Sequence, residues 1–161
     1  MFDFSAPAQT LDKAAQYALL AEQAEALLGD ESNRVANAAN FSALLFQALP
    51  QLNWVGFYFH DGHELVVGPF QGKPACVRIP IGKGVCGTAA QTRQTQLVAD
   101  VHAFPGHIAC DADSRSEIVV PLLANNELVG VLDIDSPIAD RFDAEDQAGI
   151  ETLAQIFMRS W

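Results

Sequence analysis

The residues of this 161-residue chain with the most chemical potential are three cysteines and three carboxylates. Cys76, Cys86 and Cys110 stand close to Gly and Pro residues, and Glu117, Asp133 and Asp135 fall in a later segment that reads as a hairpin. In a chain otherwise suited to a reducing compartment, cysteines are more often catalytic, redox-sensing or metal-binding than structural. Thiols beside carboxylates suggest an acid-assisted thiol reaction, in which a thiolate attacks and a carboxylic acid supplies a proton.

The cysteines are ten and twenty-four residues apart, so no C-x-x-C redox or zinc pair exists. A zinc site from the three cysteines with His107 or His102 matches no recognised ligand spacing. Gly82-Lys83-Gly84-Val85-Cys86-Gly87 is a literal G-x-G-x-x-G. It lies mid-chain among hairpin signals, however, without the parallel βαβ unit that a dinucleotide fingerprint requires. The same turn places Cys86 near the start of a helix, where the macrodipole favours a thiolate. Cys76 follows Pro74-Ala75 and could equally be a small buried hydrophobe, whereas Cys110 falls in a long polar loop that would expose it.

Asp133 and Asp135 are i and i+2 on a strand and so share one face, with Leu132 and Ile134 on the other. Such a pair raises one pKa to give a proton donor, or binds a cation such as an ammonium group; a solvent-facing polar stripe is the plain alternative. A strict two-residue turn at Asn125-Asn126 sets Glu117 opposite Ile134, on the wrong face, while a bulge at the turn brings it opposite an aspartate. Trp54 and Tyr58, four apart on an earlier strand, share a face and suit an apolar methyl or methylthio group.

The elements that must position these residues can be read from periodicity. Thr10 is the expected cap of a helix over 11–28 that Gly29 ends in a left-handed stop, and Ser32 opens a second helix that Pro50 breaks. Val35, Ala38, Ala39, Ser42, Leu45 and Leu49 supply its apolar face. From Asn53 the period drops to two, giving strands 54–59 and 64–68 around Asp61-Gly62. Short strands follow at 76–80 and 96–100, with a brief helix over 85–91 between them. An aperiodic segment over 101–116 precedes strands 118–123 and 128–134. Asp143 caps a last helix with Ile150, Leu153, Phe157 and Trp161 along one stripe. Paired hairpins with helices at both ends argue for an α+β fold: a central antiparallel sheet with N- and C-terminal helices packed on it.

Composition sets the outer bounds. At 50% hydrophobic the chain can bury a core, about 68–70% of its unfolded surface at this size. Twenty acids against nine bases give a net charge of −11, which argues against nucleic acid and anionic membranes as partners. The first residues lack a basic n-region and an apolar h-region, so a cytoplasmic protein is expected.

Gly68 to Pro80 around Cys76, Gly84-Val-Cys86-Gly-Thr-Ala, His107-Ile-Ala-Cys110-Asp, Ser116-Glu117-Ile-Val-Val-Pro and Gly130-Val-Leu-Asp133-Ile-Asp135-Ser together closely resemble the free methionine-(R)-sulfoxide reductases, single-domain proteins of the GAF fold. The likeness covers about residues 32–158, with 1–31 as an additional N-terminal helix, and implies one GAF domain over 1–161. It implies reduction of free L-methionine (R)-sulfoxide without metal or organic cofactor, with thioredoxin as external reductant and a homodimer as a candidate assembly. By this likeness Cys110 is the nucleophile, Cys76 the first candidate for resolving thiol and Cys86 the second. Glu117, Asp133 and Asp135 would bind the substrate ammonium and handle the sulfoxide oxygen, with Trp54 and Tyr58 enclosing the methyl end. The helix-terminus argument alone favours Cys86 as nucleophile, so the two lines disagree. The rival readings are a GAF-type redox or ligand sensor without turnover and a zinc-stabilised binding module.

Overall fold

The computed structural model describes residues 11–106, 108 and 111–161. Helices α1 (Lys13–Leu28) and α2 (Arg34–Ala48) precede strands β1 (Trp54–His60), β2 (Glu64–Gly72) and β3 (Arg78–Pro80). Helix α3 (Gly84–Thr92), strand β4 (Gln96–Val98), a 3₁₀ turn at Val101–Ala103, strands β5 (Ser116–Ala124) and β6 (Glu127–Ser136), and helix α4 (Ala144–Arg159) complete the order. The strands form one six-stranded sheet in the order β3-β2-β1-β6-β5-β4, antiparallel throughout. The α+β architecture expected from the hairpin pattern is the one observed. No helix among the described residues is long and apolar enough to cross a membrane.

Strand alternation divides the interior in two. Val55 and Phe57 of β1, Ile118, Val120 and Leu122 of β5, and Leu132 and Ile134 of β6 face α1, α2 and α4, where Leu20, Phe41, Leu45, Ile150, Leu153 and Phe157 close the larger core. Trp54, Tyr58, Val119 and Val131 point the other way, against Val85, Cys86, Ala89 and Ala90 of α3. The candidate site residues among those described lie on this second face.

Local details differ from the sequence expectations where side-chain capping decides a boundary. Asp12 caps α1 by accepting from the Ala15 amide at 2.8 Å, and Thr10 lies outside the described residues. Gly29 is right-handed, with φ −59°, so the helix ends without the left-handed stop. Asn33, not Ser32, caps α2, and this sets the first turn outward: Val35 and Ala39 are exposed while Phe41 and Leu44 join Ala38, Ser42 and Leu45 inside. Strand β3 is only three residues long, and Cys76 precedes it.

Hairpin β5/β6 carries the most consequential detail. Asn125 and Asn126 both take positive φ, at 50° and 66°, and make a strict two-residue turn with Ala124 facing Glu127 and Leu123 facing Leu128. The register then shifts between Leu122 and Leu123, so Leu122 faces Gly130 and Glu117 faces Asp135. The bulge is real but sits along the ladder, not at the turn.

Helix α1 is fastened to α4 through a buried anion. Asp146, 1% exposed, accepts from the Tyr17 hydroxyl at 2.8 Å, from Lys13 at 2.8 Å and from Arg141 at 3.3 Å, and it completes a capping box with Asp143. Removing it strands a buried hydroxyl and a guanidinium. Asp146→Ala is expected to lower unfolding free energy by about 3–5 kcal/mol in urea titration, whereas Tyr17→Phe, which deletes a single donor, costs about 1–2 kcal/mol.

Candidate active site

Strands β1, β5 and β6 deliver the wall residues of a cleft roofed by α3. Trp54 and Tyr58 come from β1, Glu117 from β5, and Asp133 and Asp135 from β6, with Gly56 facing Asp133 and Trp54 facing Asp135 across the β1/β6 ladder. Together with Cys86 of α3 they border one pocket that opens to solvent. Lys73, Ala75, Ile79, Lys83, Ile108 and Asp111 complete the rim. Asp133 and Asp135 share a face as expected, and the register shift brings Glu117, whose face the turn alone left open, to the same side, with the apolar Leu132 and Ile134 turned to the helical core.

Desolvation dominates the electrostatics. Burial raises the Glu117 carboxyl well above the usual range, and the neighbouring charges of Asp133 and Asp135 add to the rise. Asp135 is pushed up in the same way, first by burial and then by Asp133. Asp133 rises less, to about 6, because hydrogen bonds from Cys86 and Glu117 and from the Ile134 amide offset part of its burial. Burial and mutual repulsion thus favour the protonated forms of the three acids, with Asp133 raised less than the others, an arrangement that suits proton donors beside an anionic group.

Cys86 corrects the helix-terminus argument. It sits in the first turn of α3, but it is buried, and burial together with the charges of Asp133 and Glu117 pushes its thiol up. Burial first, and then the nearby carboxylates, oppose the helix dipole, and the Cys86 thiol donates to Glu117 Oε1 at 3.9 Å. Cys76 is disulfide-bonded, and Cys86 is a free thiol. Cys110 and His107 lie outside the described residues. Ile108 and Asp111, which flank Cys110 in sequence, both border the pocket.

The G-x-G-x-x-G segment is a turn between β3 and α3, closed by the Gly82 amide donating to the Gly87 carbonyl at 2.8 Å. Gly82 and Gly84 take positive φ, at 80° and 62°, which is why glycine stands at both. His102 bonds Asp100 at 3.0 Å on the surface, and among the described residues the group placed to hold a metal ion does not include it.

Aromatic packing fixes the far wall. Trp54 stacks on Tyr58 at 5.7 Å and on Phe70 at 5.1 Å between centroids, and its indole N–H donates to the Lys73 carbonyl at 3.1 Å. One polar group of residues escaped the sequence reading. Asn53 donates to Asp111 at 3.0 Å and to Ser114 at 2.9 Å, while Lys73 pairs with Asp111 at 3.3 Å and with Asp113. These bonds tie the segment after Cys110 to β1 and to the end of β2. The Asp111-x-Asp113 spacing, an Asx turn with Asp113 N–H donating to Asp111 at 2.9 Å, was the available signal.

An acid whose folded pKa is raised weakens the fold as pH climbs from its unfolded value to its folded one, because the folded state holds the extra proton. For Asp133 that window runs from 3.8 to about 6. Asp133→Asn is expected to gain about 1–3 kcal/mol over wild type at pH 7.5 and little at pH 4, read as thermal melts at the two pH values. An equal effect at both would show that the carboxyl is not held in its acid form.

Comparison with known proteins agrees with this geometry. Residues 30–160 match the GAF domain family. The chain is 52% identical over 143 residues to the free methionine-R-sulfoxide reductase of Escherichia coli, covering 89% of this chain and 87% of that protein. It superposes with a TM-score of 0.94 on the Neisseria meningitidis free methionine-R-sulfoxide reductase in complex with its substrate, at 46% identity over 99% of this chain and 95% of that one. A Burkholderia vietnamiensis structure described as a GAF sensor protein is 68% identical, with a TM-score of 0.90 over 92% and 94% of the two chains. The chain belongs to the GAF-domain family, in the branch that holds the free methionine-R-sulfoxide reductases.

Proposed function

We propose that the protein reduces free L-methionine (R)-sulfoxide to L-methionine with its own thiols. The observation that carries this reading is the cleft in which the buried Glu117 and Asp133 and the half-buried Asp135 line one pocket with Trp54 and Tyr58, bordered also by Ile108 and Asp111. The substrate has a charged ammonium, a polar S–O bond and a methyl group, and the cleft offers an anion, proton donors and an aromatic surface. The relatives that carry this activity in their names match nearly the whole chain.

The Cys110 thiolate attacks the sulfoxide sulfur while a protonated carboxyl, Glu117 or Asp135, gives its proton to the oxygen. The protonated oxygen passes from the methionine sulfur to the Cys110 sulfur, the S–O and transient S–S bonds to methionine break, methionine leaves as the thioether, and Cys110 is left as a sulfenic acid. The Cys76 thiol then displaces that oxygen as water and forms a disulfide, which thioredoxin reduces by exchange. Support for Cys76 over Cys86 as resolving thiol is direct in kind: Cys76 stands in a disulfide, while Cys86 is a free thiol with raised pKa. Asp133, the first acid to ionise, is the partner for the ammonium, and Trp54 and Tyr58 enclose the methyl group.

A GAF-type sensor has one relative described in those words in its favour. Ligand sensing, however, gives no use to the clustered acids with raised pKa in the cleft or to the disulfide at Cys76.

NADPH consumption with thioredoxin and thioredoxin reductase tests the proposal, with the free R epimer, the S epimer and a peptide-bound sulfoxide as substrates. Turnover is expected for the free R epimer alone and is expected to vanish in Cys110→Ser; no turnover with any substrate would favour the sensor. Asp135→Asn should lower kcat/KM by about 10²–10⁴-fold with the fold intact by circular dichroism. Cys76→Ser should release about one methionine per protein in a single turnover and then stall, because the sulfenic acid forms but is not resolved.

A further inference from the structure

Cys86 is the thiol that the proposed reaction leaves unused, and it lies inside the acidic cluster. Its Sγ, one oxygen of Glu117 and one oxygen of Asp133 all stand within 4.8 Å of one another, and all three residues are buried. A second observation points to a missing partner: Asp133 Oδ1 is buried without a hydrogen-bond partner, on a residue only 6% exposed. A buried carboxylate oxygen lacking a donor is costly, and a cation is one way to satisfy it.

The donor set selects the cation. One thiolate and two carboxylates suit a borderline or soft divalent ion such as Zn²⁺ or Cd²⁺, whereas Ca²⁺ and Mg²⁺ prefer oxygen alone. In a tetrahedral zinc site, with Zn–S about 2.3 Å and Zn–O about 2.0–2.2 Å, ligand atoms lie about 3.4–3.6 Å apart. The Sγ to Glu117 Oε1 separation of 3.9 Å is already close to that. Asp135 borders the same pocket and can supply the fourth ligand, or water can.

We propose that Cys86, Glu117 and Asp133 bind one zinc-class divalent cation, and that this cation competes with the sulfoxide for the cleft. The ion displaces protons from the thiol and the carboxyls to solvent, with no change of oxidation state. Binding stands on geometry alone; the competition rests on the reductase reading.

The test uses the full chain with Cys76 in its disulfide, titrated with Cd²⁺ and read by ultraviolet sulfur-to-cadmium charge transfer. One equivalent is expected to saturate the band. Cys86→Ser should abolish it, and Asp133→Asn should weaken binding by about tenfold or more, with circular dichroism confirming both folds. No band in wild type, or a band that survives Cys86→Ser, overturns the site. X-ray absorption of the wild-type zinc complex needs no variant: one sulfur with two or three oxygens is expected, and two sulfurs overturn the assignment. In the turnover assay Zn²⁺ should raise the KM for the sulfoxide and leave kcat unchanged. An unchanged KM in an active, Cd²⁺-binding protein overturns the competition. Absence of turnover in a Cd²⁺-binding protein overturns the reductase reading and leaves the metal site standing.

Discussion

Three carboxylates that share a cleft with a thiol resist leaving water and repel one another, so the fold must hold them there against a standing electrostatic cost. It does so by strand alternation. Each acid is one peptide unit away from a core side chain: Glu117 from Ile118, Asp133 from Leu132 and Ile134, Asp135 from Ile134. The apolar neighbours are fully buried against α1, α2 and α4, and a strand so anchored cannot rotate to hydrate its other face. Glu117 and Asp133 are held as firmly as the core is.

The same cost is what gives the cleft chemical range. In water the three acids would ionise together and the cleft would be a plain anionic patch. Under burial their proton affinities separate, with Asp133 the most acidic because Cys86, Glu117 and the Ile134 amide donate to it. Cys86 is thereby part of the acid set without being a nucleophile. Its place on α3 ties the roof of the cleft to the acids below. On the opposite wall, Trp54 is fixed by stacking on Phe70 and by its bond to the Lys73 carbonyl, so the aromatic surface is rigid before any ligand arrives.

Much of this was legible in the residues. Period-two runs located β1, β2, β5 and β6, and parity alone placed Asp133 and Asp135 on one face. The residual errors have local causes. Helix starts were assigned to Thr10 and Ser32, but a cap depends on which side chain reaches a free amide, and Asp12 and Asn33 do so. Val35 satisfied the helical period and still faces water, because the cap at Asn33 sets the phase of the first turn. The bulge between Leu122 and Leu123 has no residue signature, so register there required the ladder itself. Cys86 was read through its helix position, and only the three-dimensional placement of the acids shows why the dipole loses. The network of Asn53, Lys73, Asp111 and Ser114 joins residues far apart in the chain, a coincidence that periodicity does not encode.

The two-sided sheet has a consequence for how such a chain can change over generations. Its helix-side residues answer to folding, while Trp54, Tyr58, Glu117, Asp133 and Asp135 on the other side answer to whatever occupies the cleft. Inheritance can therefore edit one ledger without erasing the other. A lineage could lose every acid here and keep its architecture, gaining stability as it did so, and the persistence of such costly residues in any descendant would itself mark continued use.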